Sequence, residues 1–142
     1  MEEGIKKDIF KLVEDTRDVI VCSVAEDGFP NAKSMFKSKN EGLKTFWFST
    51  NVSAARTKQW QERPEACIYF LDSANIHGLM LTGRMKVYMD AETKLAFWRP
   101  GDEMYYSLGP EDPDYCMVCF TAEEGNYWGQ QKVLFQVDSL KQ

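Results

Sequence analysis

The sequence FWFSTNVSAARTKQW, residues 46–60, decides the fold because it passes from a strand through a polar turn into a helix. Its first three residues are bulky aromatics that favour a β-strand. Ser53 stands at the N-cap position expected for the following helix. A helix start flanked by Thr50, Ser53 and Arg56 offers free backbone N–H groups and a positive charge, which together suit a phosphate. The stretch therefore predicts either an anion site or an ordinary capped helix.

The residues before this stretch predict one helix and a three-strand meander. Apolar side chains recur at helical spacing within residues 5–15, which indicates an amphipathic helix. Strands are predicted over residues 19–25, 31–39 and 43–49, and Asp27-Gly28 predicts a hairpin turn between the first two.

The rest of the chain predicts two helices and four more strands. The central helix is expected over residues 53–62, because the residue before Pro64 resists helical dihedrals. Gly83 interrupts a strand pattern and predicts a bulge or a barrel bend. The remaining predictions are strands over 65–71, 78–89, 115–122 and 132–137, a helix over 90–98 capped by Asp90, and a loop over 123–131. About seven strands and three helices suit a closed antiparallel barrel, which leaves no exposed edges.

Length and charge limit the classes of function. A chain of 142 residues has the size of one domain, and we expect residues 1–142 to form a single domain. A hydrophobic fraction of 44% is that of a folded protein. The net charge of −5 disfavours binding to nucleic acid, which needs a broad basic face. An anionic ligand would therefore have to be held by a local basic site.

The expected location is the cytoplasm. The N-terminus lacks the apolar segment of a signal peptide, and no run approaches the roughly 18 apolar residues of a membrane-spanning helix. We therefore expect neither a membrane nor a nucleic acid as a partner.

The four cysteines are expected in the core, because Cys22, Cys67, Cys116 and Cys119 all lie in apolar strand segments. Cys116 and Cys119 have a CxxC spacing, but residues three apart on a strand point to opposite faces. We therefore expect no metal site and no redox pair there.

No familiar catalytic motif is present in the sequence. His77 is the sole histidine, and nucleophile elbows, Walker A loops and zinc-binding spacings are absent. Trp98 and the pair Tyr105-Tyr106 predict either a substrate pocket or aromatic packing against the barrel or a second subunit. No catalytic residue is assigned.

Four stretches, taken in order, carry a family resemblance. They are residues 30–35 (PNAKSM), residues 48–56 (FSTNVSAAR) with Pro64 beyond, residues 83–90 and residues 98–128. Their order and spacing resemble the FMN-binding split barrels of the pyridoxamine 5′-phosphate oxidase superfamily, in particular its general stress protein 26-like branch. The resemblance implies a mainly β fold, a six- to seven-stranded antiparallel split β-barrel of the Greek-key type with about three flanking helices. It also implies a homodimer with FMN in a groove at the interface.

The resemblance implies which residues contact FMN. Lys33 stands where the family usually has an arginine near the flavin phosphate and ring, and Arg56 stands at its phosphate-binding lysine. Ser53 would replace a family serine whose position is Ala54 here. Trp128 would reach the flavin from the partner subunit. The full implied cofactor-binding set is Lys33, Ser34, Met35, Phe48, Ser49, Thr50, Ser53, Arg56, Lys58 and Trp128.

One departure from the family bears on activity. Pyridoxamine-phosphate oxidases carry an Arg-x-His segment near the C-terminus, whereas this chain ends VLFQVDSLKQ. Oxidation of vitamin B6 is therefore not expected. Two functions remain open: an FMN-dependent oxidoreductase acting on a small organic molecule, and a flavin-binding stress-response module without turnover. Haem with His77 as its ligand, a deazaflavin, and a barrel without any ligand are further alternatives.

Overall fold

Short apolar and β-branched segments separated by turns form seven β-strands in the computed structural model, which describes residues 1–141. The strands are β1 (Asp18–Val24), β2 (Pro30–Glu41), β3 (Thr45–Asn51), β4 (Glu65–Asp72), β5 (His77–Tyr88), β6 (Tyr115–Trp128) and β7 (Lys132–Gln136). The α-helices are α1 (Glu3–Asp15), α2 (Ala55–Glu62) and α3 (Ala91–Phe97), with short 3-10 turns at Asp102–Met104, Gly109–Glu111 and Val137–Ser139. Within residues 1–141, none of the helices combines the length and the apolarity needed to cross a bilayer.

Antiparallel pairing closes the sheet on itself. The strand order is β3-β2-β1-β4-β5-β6-β7, and β3 also pairs with β6. This second pairing makes a six-stranded barrel of β1–β6 and leaves β7 as an extra strand on β6. It runs in unbroken register from Thr45 opposite Thr121 to Asn51 opposite Tyr115. The predicted fold class, a mainly β antiparallel split barrel with about three helices, is confirmed.

Closure of the barrel buries one face of each strand. On β3, Phe46, Phe48 and Thr50 alternate with more exposed residues and are almost fully buried. α1 adds Ile9 and Val13 to the same core, as its helical spacing predicts.

A separate cluster is formed by Tyr106, Tyr115 and Met117, with Trp47, Tyr88, Phe97 and Trp98 packed against it. Of the two alternatives for Trp98 and Tyr106, the structure supports aromatic packing, whereas Tyr105 is exposed.

The start of α2 differs from the prediction. The helix begins at Ala55, and the residue at the N-cap is Ala54, which makes no side-chain cap bond. The prediction that Ser53 caps this helix is therefore wrong. The backbone N–H of Ser53 donates instead to the carboxylate of Asp114, so the chain stays in a turn for two further residues.

The predicted loop over residues 123–131 is mostly strand. β6 continues to Trp128, pairing with β5 on one side and with β7 on the other. Gly125 makes this possible, because a Cβ there would lie 2.2 Å from the ring of Phe135 on β7. The sequence pattern missed this extension because glycine is unfavourable inside a strand and was taken as a loop signal.

The cysteines divide into two pairs. Cys116 and Cys119 are buried, and they pair with Thr50 and Trp47 respectively on β3, consistent with opposite faces of β6. Cys22 and Cys67 are only partly buried, so the expectation that all four lie in the core is wrong for these two. Both lie on the outward face of the barrel, where the core of the same chain does not bury an apolar side chain.

The bulge predicted at Gly83 is confirmed by a shift in register between Thr82 and Gly83 where β5 pairs with β6. A Cβ at Gly83 would lie 2.0 Å from the backbone carbonyl oxygen of Thr121. Because the obstacle is the backbone of a central strand, relief requires that the two strands move apart.

We expect Gly83→Ala to lower the free energy of unfolding by about 1–3 kcal/mol, the range of overpacked cores. Urea denaturation followed by tryptophan fluorescence measures the change. Gly4→Ala is the matched control, because Gly4 lies in α1 and a Cβ there meets nothing within 4 Å. The control should be neutral or stabilising by up to about 1 kcal/mol. Equal midpoints for wild type and Gly83→Ala would contradict the close strand contact.

Candidate anion-binding site

Two of the predicted cationic residues meet at the start of α2. Lys33 of β2 and Arg56 of α2 line a cavity of about 190 Å³. The remaining lining residues are Val21, Ser23, Asn31, Ala32, Ala55 and Gln59. Two cations therefore share one concave space whose lining, among residues 1–141, contains no carboxylate.

Arg56 is held in place by a buried threonine. Its Nε donates to Thr50 Oγ1 at 3.1 Å, and Thr50 is only 1% exposed. The other guanidinium N–H groups have no hydrogen-bond partner in the described chain, so they are free to donate to a ligand. Thr50, predicted to contact a ligand, is thus engaged in orienting the arginine.

The N-terminus of α2 adds unpaired backbone donors to the cavity. The cap at Ala54 makes no side-chain bond, and the first turn contains no acidic residue. The N–H groups of Ala55 and Arg56 have no acceptor within residues 1–141. Because the helix dipole places partial positive charge at this end, the uncapped start favours an anion.

Asp114 holds the turn that leads into α2. Its Oδ1 accepts from the backbone N–H of Ser53 and its Oδ2 from Nδ2 of Asn51, both at 2.8 Å. Its carbonyl oxygen accepts from the N–H of Val52, also at 2.8 Å. The Asn51 amide and the N–H of Ser53 hold the pKa of the Asp114 carboxyl below its usual value. These bonds attach residues 51–53 to the start of β6 and so set the position of the helix N-terminus.

The other predicted contacts are dispersed. Ser34 is exposed on β2, and Ser49 is exposed on β3. Met35 and Phe48 have buried side chains in the core, so only their backbone groups could reach a ligand. None of these four residues lines the cavity of Lys33 and Arg56.

Lys58 and Trp128 also lie outside this cavity. Lys58 is exposed, and its Nζ is 3.8 Å from Glu62 on the solvent side of α2. Trp128 lies opposite Gly78 of β5 and packs near Tyr69, with 6.4 Å between the ring centroids. Within one chain, the structure does not bring these two residues to Arg56.

Sequence reasoning missed three polar residues that the fold brings to the site. Ser23 Oγ donates to Gln59 Oε1 across the gap between β1 and α2, and both residues line the cavity with Asn31. Ser23 and Gln59 are 36 residues apart, and no local pattern links them. Asn31, two residues before Lys33, and Gln59, within residues 46–60, lay in stretches that the sequence had singled out, but neither was assigned to a site.

Tyr106 lies within electrostatic range of the site. Its side chain is 7% exposed, and burial raises the pKa of its hydroxyl to about 12, a rise that the nearby Arg56 charge partly opposes. The phenol is therefore protonated at neutral pH and remains a hydrogen-bond donor.

A second cavity, of about 460 Å³, adjoins the first at Ser23. It is lined by Cys22, Val24, Pro30, Glu65, Ala66, Cys67, Thr82, Gly83, Arg84, Glu123 and Glu124 together with Ser23. The concave surface therefore extends from the cations of the first cavity across β1, β4 and β5.

We expect Asp114→Asn to reduce stability at neutral pH and to have little effect in acid. Because folding lowers the Asp114 pKa, its contribution is fully present above the unfolded value near 3.9 and is lost as the pH falls through the folded value. Urea midpoints measured from pH 7 to pH 3 check this. The difference in urea midpoint between wild type and Asp114→Asn should be constant above about pH 5 and should decrease progressively below about pH 4. A gap that persists at low pH would contradict the role of the charged carboxylate.

Comparison with known proteins identifies the family. The chain matches the family model described as pyridoxamine 5′-phosphate oxidase like over residues 5–142. It is similar to the crystal structure of a protein related to general stress protein 26 from Clostridium acetobutylicum, with 38% identity and a TM-score of 0.90 over 99% of this chain and 100% of that chain. No curated protein matches the chain.

More distant structures share the fold. General stress protein 26 from Bacillus anthracis has a TM-score of 0.75 at 16% identity, over 94% of this chain and 99% of its own. A NimC/NimA family protein from Clostridium acetobutylicum has a TM-score of 0.70 at 18% identity, over 93% of each chain. At this identity the likeness concerns the fold alone, whereas the family model spans nearly the whole sequence. The chain belongs to the pyridoxamine 5′-phosphate oxidase-like family.

Proposed function

We propose that this protein is an FMN-binding oxidoreductase that acts on a small organic molecule in the cytoplasm. The observation that carries the proposal is the cavity at the start of α2, where Lys33 and Arg56 meet beside an uncapped helix N-terminus. Membership of the pyridoxamine 5′-phosphate oxidase-like family supports the flavin as the ligand.

The residues of this cavity fit the phosphate of FMN. A phosphate dianion needs concentrated positive charge and several N–H donors. Lys33 and Arg56 provide the charge, and the N–H groups of Ala55 and Arg56 provide backbone donors. Asn31 and Gln59 add amide groups to the lining. This composition favours a phosphate monoester over a neutral ligand.

The chain's own part is to fix the phosphate and to leave the redox step to the cofactor. When bound, the flavin supplies the electron transfer, which no side chain of this cavity can perform. Thr50 fixes the guanidinium of Arg56, and Asp114 fixes the turn before α2. The cavity lining contains no histidine, carboxylate or cysteine, so within the described residues Lys33 is the one side chain there that could transfer a proton.

The proposal includes a homodimer with the flavin at the interface. Trp128 is twelve residues along β6 from Cys116, which pairs with Thr50 beside the cavity. That is roughly 40 Å of extended strand, so a contact between Trp128 and the flavin would come from a second chain. Residues 30–34 of β2 are exposed on both faces of the strand, and Phe36 is exposed beside them. A partner placed there would cover this strand.

We expect Arg56→Ala to weaken FMN binding by about 1.5–3 kcal/mol, a factor of about 10–150, because charge-assisted hydrogen bonds to the phosphate are lost. Fluorescence titration of FMN measures the affinity. Lys58→Ala is the matched control, because it removes a charge from the same helix outside the cavity. The control should bind like wild type. Equal losses in both variants would mean that the net charge of α2, not this cavity, governs binding.

A turnover assay separates the enzyme from a flavin-binding module. Purified protein is incubated with FMN and passed over gel filtration, and flavin absorbance is expected to elute with a dimer-sized peak. The loaded protein is then assayed with reduced nicotinamide and a quinone or nitro compound. An oxidoreductase should exceed the rate of an equal concentration of free FMN. A rate equal to that of free FMN would favour a non-catalytic stress-response module, and a colourless peak would contradict flavin binding altogether.

A further inference from the structure

Two cysteines face each other across neighbouring strands. Cys22 of β1 and Cys67 of β4 are registered partners in an antiparallel pair. Registered residues in such pairs point to the same face, and their Cα atoms lie roughly 4.5–5.5 Å apart. Disulfides span Cα separations of about 4.4–6.8 Å. The backbone therefore already holds these two residues at a spacing that a disulfide can bridge.

Within the single chain, both thiols lie on the wall of a cavity that is open to a small reagent. Each is a free cysteine that is only partly buried, and both line the cavity of about 460 Å³ on the outward face of the barrel. By contrast, Cys116 and Cys119 are buried, and they lie on opposite faces of β6. Of the four cysteines, only Cys22 and Cys67 combine access with a facing partner.

The rim of this cavity is acidic. Glu65, Glu123 and Glu124 line it, with Arg84 as the single basic residue. Arg84 is engaged with two of these carboxylates, at 3.6 Å from Glu65 and 3.2 Å from Glu123. With three carboxylates and one guanidinium, the electrostatic potential of this cavity is negative, so it favours a cationic or neutral molecule over an anion.

From this juxtaposition we infer that Cys22 and Cys67 form a reversible cross-strand disulfide by exchange with a cationic or neutral small-molecule disulfide. The Cys22 sulfur attacks one sulfur of the reagent, its proton leaves to water, and the first half of the reagent departs as a thiol. The Cys67 sulfur then attacks the Cys22 sulfur of the mixed disulfide, loses its proton, and releases the second half as a thiol. The two protein thiols are oxidised, and the reagent disulfide is reduced to two thiols.

The order of attack follows from the environment of Cys67. Burial, and after it the neighbouring Cys22, raise the pKa of its thiol to about 12. Cys67 is therefore protonated at neutral pH and is the poorer first nucleophile. It closes the bond only once the mixed disulfide lies beside it. The product ties β1 to β4 next to Ser23, the residue that bonds to Gln59 on α2.

The test uses reduced protein without flavin, so its outcome does not depend on the proposed cofactor. Cystamine, a cationic disulfide, is added at neutral pH, and intact mass is measured after free thiols are blocked. We expect the chain to lose the mass of two hydrogen atoms and to remain a monomer-sized band on a non-reducing gel. Digestion should yield one linked peptide pair containing Cys22 and Cys67, and dithiothreitol should reverse the change.

Serine variants separate the two thiols. Cys67→Ser should retain one cystamine half as a stable adduct on Cys22, and Cys22→Ser should form neither adduct nor crosslink. Cys119→Ala, the matched control, should close the disulfide at the wild-type rate. Oxidised wild type should unfold at a higher urea concentration than reduced wild type.

Three results would overturn the inference. The first is wild-type protein that keeps four free thiols after treatment with cystamine. The second is a crosslink that survives in Cys22→Ser, which would place the bond elsewhere. The third is an equal or faster reaction with the anionic disulfide 3,3′-dithiodipropionate, which would contradict selection by the acidic rim.

Discussion

The pairing of β3 with β6 is the constraint on which the rest of the structure depends. It turns an open sheet into a closed barrel and buries Phe46 and Phe48 at the same time. Because the register ends with Asn51 opposite Tyr115, the next residue back along the chain, Asp114, lies beside the turn that follows β3. Its carboxylate and carbonyl then bind that turn. Closure of the barrel and the position of the α2 N-terminus are thus consequences of one strand register.

The site depends on local charge in an acidic protein. The net charge of −5 would repel anions at long range, and salt screens that repulsion beyond roughly 10 Å. Within the cavity, Lys33 and Arg56 act at short range together with the partial charge of the helix start. The adjoining cavity has the opposite character, because three carboxylates surround one arginine. Two neighbouring surfaces of one barrel therefore favour ligands of opposite charge.

Local sequence patterns predicted most elements of the fold, and they failed where distant residues decide. The strand over residues 78–89, the cap at Asp90 and the bulge at Gly83 are short-range features, and all three are present. The start of α2 was misjudged because Asp114, 61 residues from Ser53, accepts from the backbone N–H of Ser53 and holds that residue in the turn before the helix. The end of β6 was misjudged because Phe135 packs over Gly125, a contact invisible to a single-strand pattern.

The sequence by itself determined the fold class and the residue types of the candidate site, because periodicity, turn residues and capping act over a few neighbouring positions. It placed Arg56 among the candidates through the predicted helix start and Lys33 through the family resemblance, but it could not establish that they share a cavity. Only the tertiary structure decided that Lys33 and Arg56 share a cavity. It also decided that Cys22 lies opposite Cys67 and that Ser23 donates a hydrogen bond to Gln59. These arrangements join residues more than twenty positions apart, and their geometry is set by strand register and barrel closure, which no local pattern encodes.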